Sequence, residues 1–296
     1  MNNSKNTWIL FLSLIVILQA LVLLYVFGRG ELRRAPAAQR REAPAGPEEE
    51  KKPGVVPERK PAAVGKEEPA VPARGRIVLI LDDWGYNLRN RDFIVGNDFP
   101  VTLSVLPFKP YSQVVANLAH DKNKDVILHM PMEPYDKERY GLEEKMLSVG
   151  MSASDAVRLL DEAFVSVPFA KGMSNHMGSR ATEDASLMRV VMARLKTRGL
   201  FFVDSLVTSK SVCHAVARDL GVAFLQRNVF IDNENDATAI RQRLIELAGK
   251  ARSNGIAVGV GHDRPLTIRV LEEMIPELER EGFRFVGVSE ALRERT

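Results

Sequence analysis

Five short polar clusters in this 296-residue chain combine residue types able to do chemistry: Asp82-Asp83-Trp84-Gly85, His129-Met130-Pro131-Met132-Glu133, Ser174-Asn175-His176-Met177-Gly178-Ser179-Arg180, Asp204-Ser205 and His262-Asp263-Arg264-Pro265. Each follows a short apolar run, and three of the five histidines in the chain fall in them. A single aspartate at a strand exit usually caps the next helix, and a single histidine usually satisfies a carbonyl. Adjacent carboxylates together with three imidazoles at successive exits have no comparable structural purpose. Mixed Asp and His donors suit zinc or a similar divalent ion, with a position left open for water. The chain has no HExxH, CxxC pair, GxxxxGK[ST], strand-linked GxGxxG or G-x-S-x-G, which argues against zincin, zinc-ribbon, P-loop, Rossmann and serine-hydrolase chemistry. His120 and His214 lie within helical patterns as packing or surface residues, and Cys213, the only cysteine, reads as a buried thiol.

These clusters must be placed by the elements that precede them. Apolar β-rich runs at 77–81, 101–106, 126–129, 171–173, 200–203, 223–226, 256–260 and 283–288 predict eight strands. Three- and four-residue apolar spacing predicts helices over 112–121, 152–165, 184–198, 211–220, 236–254 and 266–281. Ser152 with Asp155 forms a capping pattern, and Gly199, Gly255 and Gly282 sit where helices end left-handed. Such alternation predicts an α/β fold, a distorted (β/α) barrel of about seven to eight mostly parallel strands, whose site forms at the strand carboxyl ends.

The first 76 residues read differently. Trp8 to Phe27 is an apolar run broken only by Ser13 and Gln19, long enough to span a bilayer, so residues 1–28 are expected to be an uncleaved transmembrane anchor. Residues 29–76 carry eight prolines and mixed charge, which predicts a disordered linker before a single domain at 77–296. That domain is close to neutral, with 28 Lys/Arg against 30 Asp/Glu, whereas a nucleic-acid binder would place a basic patch there. Arg29, Arg33 and Arg34 outnumber Lys5 across the anchor, a distribution that favours a cytoplasmic domain.

The segments Ile77–Gly85, Val101–Phe108, Leu128–Pro134, Asn175–Arg180, Phe201–Ser205 and Gly261-His262, taken in order, resemble the divergent polysaccharide deacetylase family. The resemblance implies a metal-dependent hydrolase that removes acetyl groups from a cell-envelope glycan. It implies Asp82 as catalytic base, Asp83 and His129 as metal ligands, His262 as general acid, and Asp204 as the carboxylate that orients it. The superfamily's usual second metal-binding histidine is here Glu133, so Glu133 and His176 complete the expected ligand set, with zinc as the expected ion. Asn175, Arg180 and Arg264 are expected to contact substrate, the arginines through an anionic group. The resemblance also opposes the arginine count, because an envelope glycan puts the domain outside the cytoplasm, in the periplasm. Two other readings remain open: a catalytically silent module that binds glycan or an envelope protein, and a glycosidase using Asp82 and Glu133.

Overall fold

The computed structural model describes residues 74–136 and 145–293, all within one compact unit spanning Lys66–Thr296. The expected anchor and nearly all of the expected linker lie outside the described residues. Among the described residues no helix is long and apolar enough to cross a membrane.

Among the described residues nine strands form one sheet in which every pairing is parallel: β1 (Gly75–Trp84), β2 (Thr102–Val105), β3 (Asp125–Met132), β4 (Gly172–Met177), β5 (Phe201–Asp204), β6 (Phe224–Gln226), β7 (Val229–Phe230), β8 (Ile256–His262) and β9 (Phe283–Val286). The spatial order is β6-β5-β4-β3-β2-β1-β8-β7, with β9 beside the start of β1. This is a parallel β/α half-barrel. The two ends of the path, β6 and β7, are separated only by Arg227 and Asn228, so one stretch of chain leaves β5 and joins β8. No ladder joins β6 to β7 among the described residues, so the expected barrel is found as a half-barrel whose end strands are linked by chain alone. Two-residue β7 is too short to show a hydrophobic period, so the sequence reading passed over it.

Among the described residues seven α-helices lie along the outside, α1 (Arg91–Gly96), α2 (Ser112–Asp121), α3 (Ala153–Ser166), α4 (Ala185–Thr197), α5 (Cys213–Leu220), α6 (Ala237–Asn254) and α7 (Pro265–Arg280), and an eighth, α8 (Val288–Arg293), packs under the sheet's inner face. The Ser152 hydroxyl accepts from the Asp155 N–H at 3.1 Å, capping α3 as expected, and Gly199, Gly255 and Gly282 take positive φ. The six-residue α1 and α8 are too short for a helical period and were missed; α8 begins where the last strand was expected to continue.

Strand residues alternate between two cores. Leu79, Leu81, Leu128 and Phe202 pack outward against the helices. Val78 and Ile80 of β1, Ile127 of β3, Phe201 and Val203 of β5, and Val258 and Val260 of β8 point inward, where Val288 and Ala291 of α8 close the lower end. Continuing the inward parity by two residues reaches the polar tops of the strands. The domain boundary moves slightly as well. Gly75 and Arg76 pair with Phe283 and Arg284 of β9, so they belong to the domain rather than to the linker.

Candidate functional site

The inward parity of β1 continues from Val78 and Ile80 to Asp82, which lies level with His262 of β8. On β3 it continues from Ile127 to His129, and on β4 it passes through Ser174 to His176. Asp83 should by the same rule face outward. A β-bulge prevents this: Leu81 pairs with Leu103 and Trp84 with Val105, so Asp82 and Asp83 together oppose Ser104. Asp83 takes φ 66°, a left-handed conformation that costs about 1–2 kcal/mol for an L-residue and that Asp tolerates better than most. Both carboxylates consequently reach His129, at 3.5 Å from Asp82 Oδ1 to Nδ1 and 3.4 Å from Asp83 Oδ1 to Nε2. Met177 and Leu206, at the exits of β4 and β5, also have positive φ, so backbone strain gathers around this opening, as is common at functional sites.

Three donor atoms form a compact triangle: Asp83 Oδ1 to His176 Nδ1 is 3.1 Å, His176 Nδ1 to His129 Nε2 is 3.1 Å, and His129 Nε2 to Asp83 Oδ1 is 3.4 Å. Donors bound about 2.0–2.1 Å from a tetrahedral zinc lie roughly 3.3 Å apart, so the triangle fits a divalent ion. Asp83 Oδ1 is moreover buried without a hydrogen-bond partner, which a cation would supply. Burial opposes the charge on Asp83, but contact with His129 and His176 outweighs it and holds the carboxyl well below the usual carboxylate range.

His129 is oriented by a hydrogen-bond chain that the sequence reading missed. Its Nδ1 lies 2.8 Å from the Ser174 hydroxyl, which lies 2.8 Å from the Ser104 hydroxyl. All three side chains are buried. With Nδ1–H donating to Ser174, the Nε2 lone pair faces the triangle, the usual device for a metal-binding imidazole. Asp82 beside it is 3 % exposed, and burial raises its pKa against the opposing charges of His129 and His262.

His262 is held by Asp232, not by Asp204. Its Nδ1 is 2.8 Å from Asp232 Oδ1, and the other carboxylate oxygen accepts from the His262 N–H at 2.9 Å and the Thr267 hydroxyl at 2.7 Å. Burial alone would depress the imidazole pKa, but Asp232, aided by Asp83 and Asp82, raises it. Asp204 shares the parity of outward-facing Phe202 and instead accepts from the Ser211 hydroxyl and the Leu206 N–H. Alternation applied to Val229-Phe230-Ile231-Asp232 would have found the true partner, but a strand so short hides its own phase.

Glu133 is also diverted from its expected role. Its carboxylate accepts from Arg180 Nη1 at 3.0 Å and the Val149 N–H at 2.6 Å, and it is not part of the donor triangle. Arg180 is thereby tied to Glu133, while Asn175 bridges the Met177 carbonyl and the Ser205 N–H. Of the expected substrate contacts, Asn175 and Arg264 line a cleft of about 580 Å³ together with Asp82, His129, His176 and His262. Arg227 and Phe230, both overlooked in the sequence, line it too. His120 stacks on Phe169 and His214 lies beside Phe224, neither of them at the cleft. Cys213 is buried, and burial pushes its thiol pKa up.

Comparison with known proteins agrees with this architecture. A crystal structure of an Agrobacterium tumefaciens C58 protein superposes with a TM-score of 0.70 at 22% identity, covering 76% of this chain and 92% of its own, which establishes a shared fold. The Escherichia coli K12 protein YibQ is 32% identical over 204 residues, 69% of this chain but 63% of that protein, so the match spans less than two thirds of that relative. A Haemophilus influenzae Rd protein is 33% identical over 221 residues, covering 75% of this chain and 78% of its own. The sequence profile of the divergent polysaccharide deacetylases matches residues 79–292, from the first strand to the last helix, and the chain belongs to that family.

Proposed function

We propose that the protein is a metal-dependent hydrolase that removes acetyl groups from a cell-envelope carbohydrate. The observation that carries the reading is the triangle of Asp83 Oδ1, His129 Nε2 and His176 Nδ1, with its buried oxygen lacking any other partner. These three residues would hold the ion, zinc by donor chemistry, which when bound supplies Lewis acidity toward the acyl carbonyl and makes water more acidic. Asp82, whose pKa burial raises, takes the proton from the attacking water. His262, whose pKa the hydrogen-bonded Asp232 raises, gives a proton to the departing nitrogen or oxygen of the sugar. Family membership supports the reaction class and a carbohydrate substrate. On this reading the substrate belongs to the cell envelope and the domain stands outside the cytoplasm, on the N-terminal anchor expected from the sequence.

The glycosidase reading loses its second acid, because Glu133 is occupied by Arg180 and Val149. The test is metal analysis of the purified full-length chain, followed by acetate release from acetylated glycans with and without a chelator. Bound metal and chelator-sensitive release are expected. Absence of metal at neutral pH with zinc supplied would overturn the hydrolase and leave the silent binding module.

A further inference from the structure

Two arginines on the His262 side of the cleft are anchored in an unusual way. Arg227 lies where the chain crosses from β6 to β7. Its Nε donates to the Ser205 carbonyl at 2.6 Å and its Nη2 to the Leu206 carbonyl at 2.7 Å. Its guanidinium sits 4.8 Å over the Phe230 ring, and that ring is 5.1 Å from the His262 ring. Arg264, two residues beyond His262, donates from Nη1 to the Asp232 carbonyl at 2.8 Å. Both side chains are half-buried and line the cleft.

Neither guanidinium has a carboxylate within ion-pair distance among the described residues, in contrast to Arg180 with Glu133 or Arg194 with Asp161. Their anchors are neutral carbonyls, which fix the planar groups without balancing the charge. Arg227 Nη1 and Arg264 Nε and Nη2 make no hydrogen bond to any described residue. Asp204 and Asp82 act on Arg227 only from beyond ion-pair distance, and half-buried cations held rigidly with no carboxylate in contact match a planar or tetrahedral oxyanion, for which arginine is the preferred partner.

We infer that Arg227 and Arg264 form a subsite for a negatively charged group, a carboxylate or a phosphate, on the sugar. This deepens the deacetylase reading and rests on it for direction: His262 serves the departing sugar, so a charge bound on its wall belongs to the sugar rather than to the acyl group. The sequence-based expectation paired Arg264 with Arg180; the structure replaces Arg180 with Arg227.

The test is binding, measured by titration calorimetry on the full-length chain with three probes. N-acetylglucosamine is neutral, N-acetylmuramic acid adds a carboxylate, and N-acetylglucosamine 6-phosphate adds a phosphate. At least one charged sugar should bind about 10- to 100-fold more tightly than the neutral one, the range of a charge-assisted contact, and the better of the two identifies the anion. The preference should shrink in high salt and fall in Arg264→Gln and in Arg227→Gln, each read as the ratio of charged to neutral sugar on the same variant. Because Arg227 also braces the Ser205–Leu206 turn, Arg264→Gln decides the matter if Arg227→Gln unfolds. Equal binding of all three probes, including no detectable binding of any, overturns the inference, as does a charged preference that survives Arg264→Gln. Binding is read without turnover, so a chain that releases no acetate but prefers the charged sugar refutes the hydrolase and not the subsite.

Discussion

At the scale of single residues, the proposed function divides labour between groups that would hold an ion and groups that would move protons, and substitution separates them. His129→Ala should lose most bound metal, measured by elemental analysis, because two donors remain where three stood. His262→Ala should keep its metal while turnover falls by about 10² to 10⁴, the range for a positioned acid. Metal unchanged in His129→Ala would remove that residue from the ligand set. Asp232→Asn removes the charge that raises the His262 pKa. Since His262 must be protonated to act, the alkaline limb of the pH–rate profile should move to lower pH. The same shift has a stability consequence. His262 has its folded pKa above the unfolded value of about 6.5, so its contribution is complete below that value and is lost as pH rises through the raised one. Thermal melts across this window should show a decline in the native chain that Asp232→Asn lacks.

At the scale of elements, the pairing of His262 with Asp232 depends on how closely β7 and β8 approach. A Cβ built on Gly261 would lie 2.6 Å from Ile231 Cγ1, so only glycine lets Ile231 pack against β8 and bring Asp232 level with His262. Gly261→Ala should therefore destabilise the domain by about 1–3 kcal/mol, the usual cost of overpacking. It should also depress turnover more than metal content, because the donor triangle lies on β1, β3 and β4. A melting temperature and rate equal to those of the native chain would show that β7 can yield freely. The bulge at Asp82–Asp83 is the other element on which function depends, since without it alternation would turn one of the two carboxylates away.

At the scale of the whole molecule, β1 is the strand on which the domain is organised, flanked by β2, β8 and β9. A chain truncated to begin at Arg74 should fold cooperatively. One beginning at Leu79 should melt substantially lower, because it loses Gly75–Val78, which pair with β9, and the inward-facing Val78. Equal melting temperatures would show that the start of β1 is dispensable. The membrane side is tested separately. A reporter fused after Thr296 should be active only outside the cytoplasm, and activity confined to the cytoplasm would show that Arg29, Arg33 and Arg34 set the orientation instead.

The sequence by itself determined the longer elements and the polar clusters at their exits, because hydrophobic period, capping residues and helix-ending glycines act within a few residues of one another; β7, α1 and α8 are too short to carry such a signal. It also brought Asp82, Asp83, His129, His176 and His262 forward, since each stands at the end of a recognisable apolar run. Which groups they meet was decided only by the tertiary structure. Asp204 and Asp232 both follow short strands, and the choice between them rests on parity and on β7 lying beside β8, 30 residues apart in the chain. Glu133 is expected as a ligand from its position, but Arg180 and the Val149 N–H occupy its carboxylate, and nothing local marks Arg227, which the Ser205 and Leu206 carbonyls hold over Phe230. Contacts of this kind depend on strand order and loop path, which are global solutions to burying two cores at once, and no local pattern of residues records them.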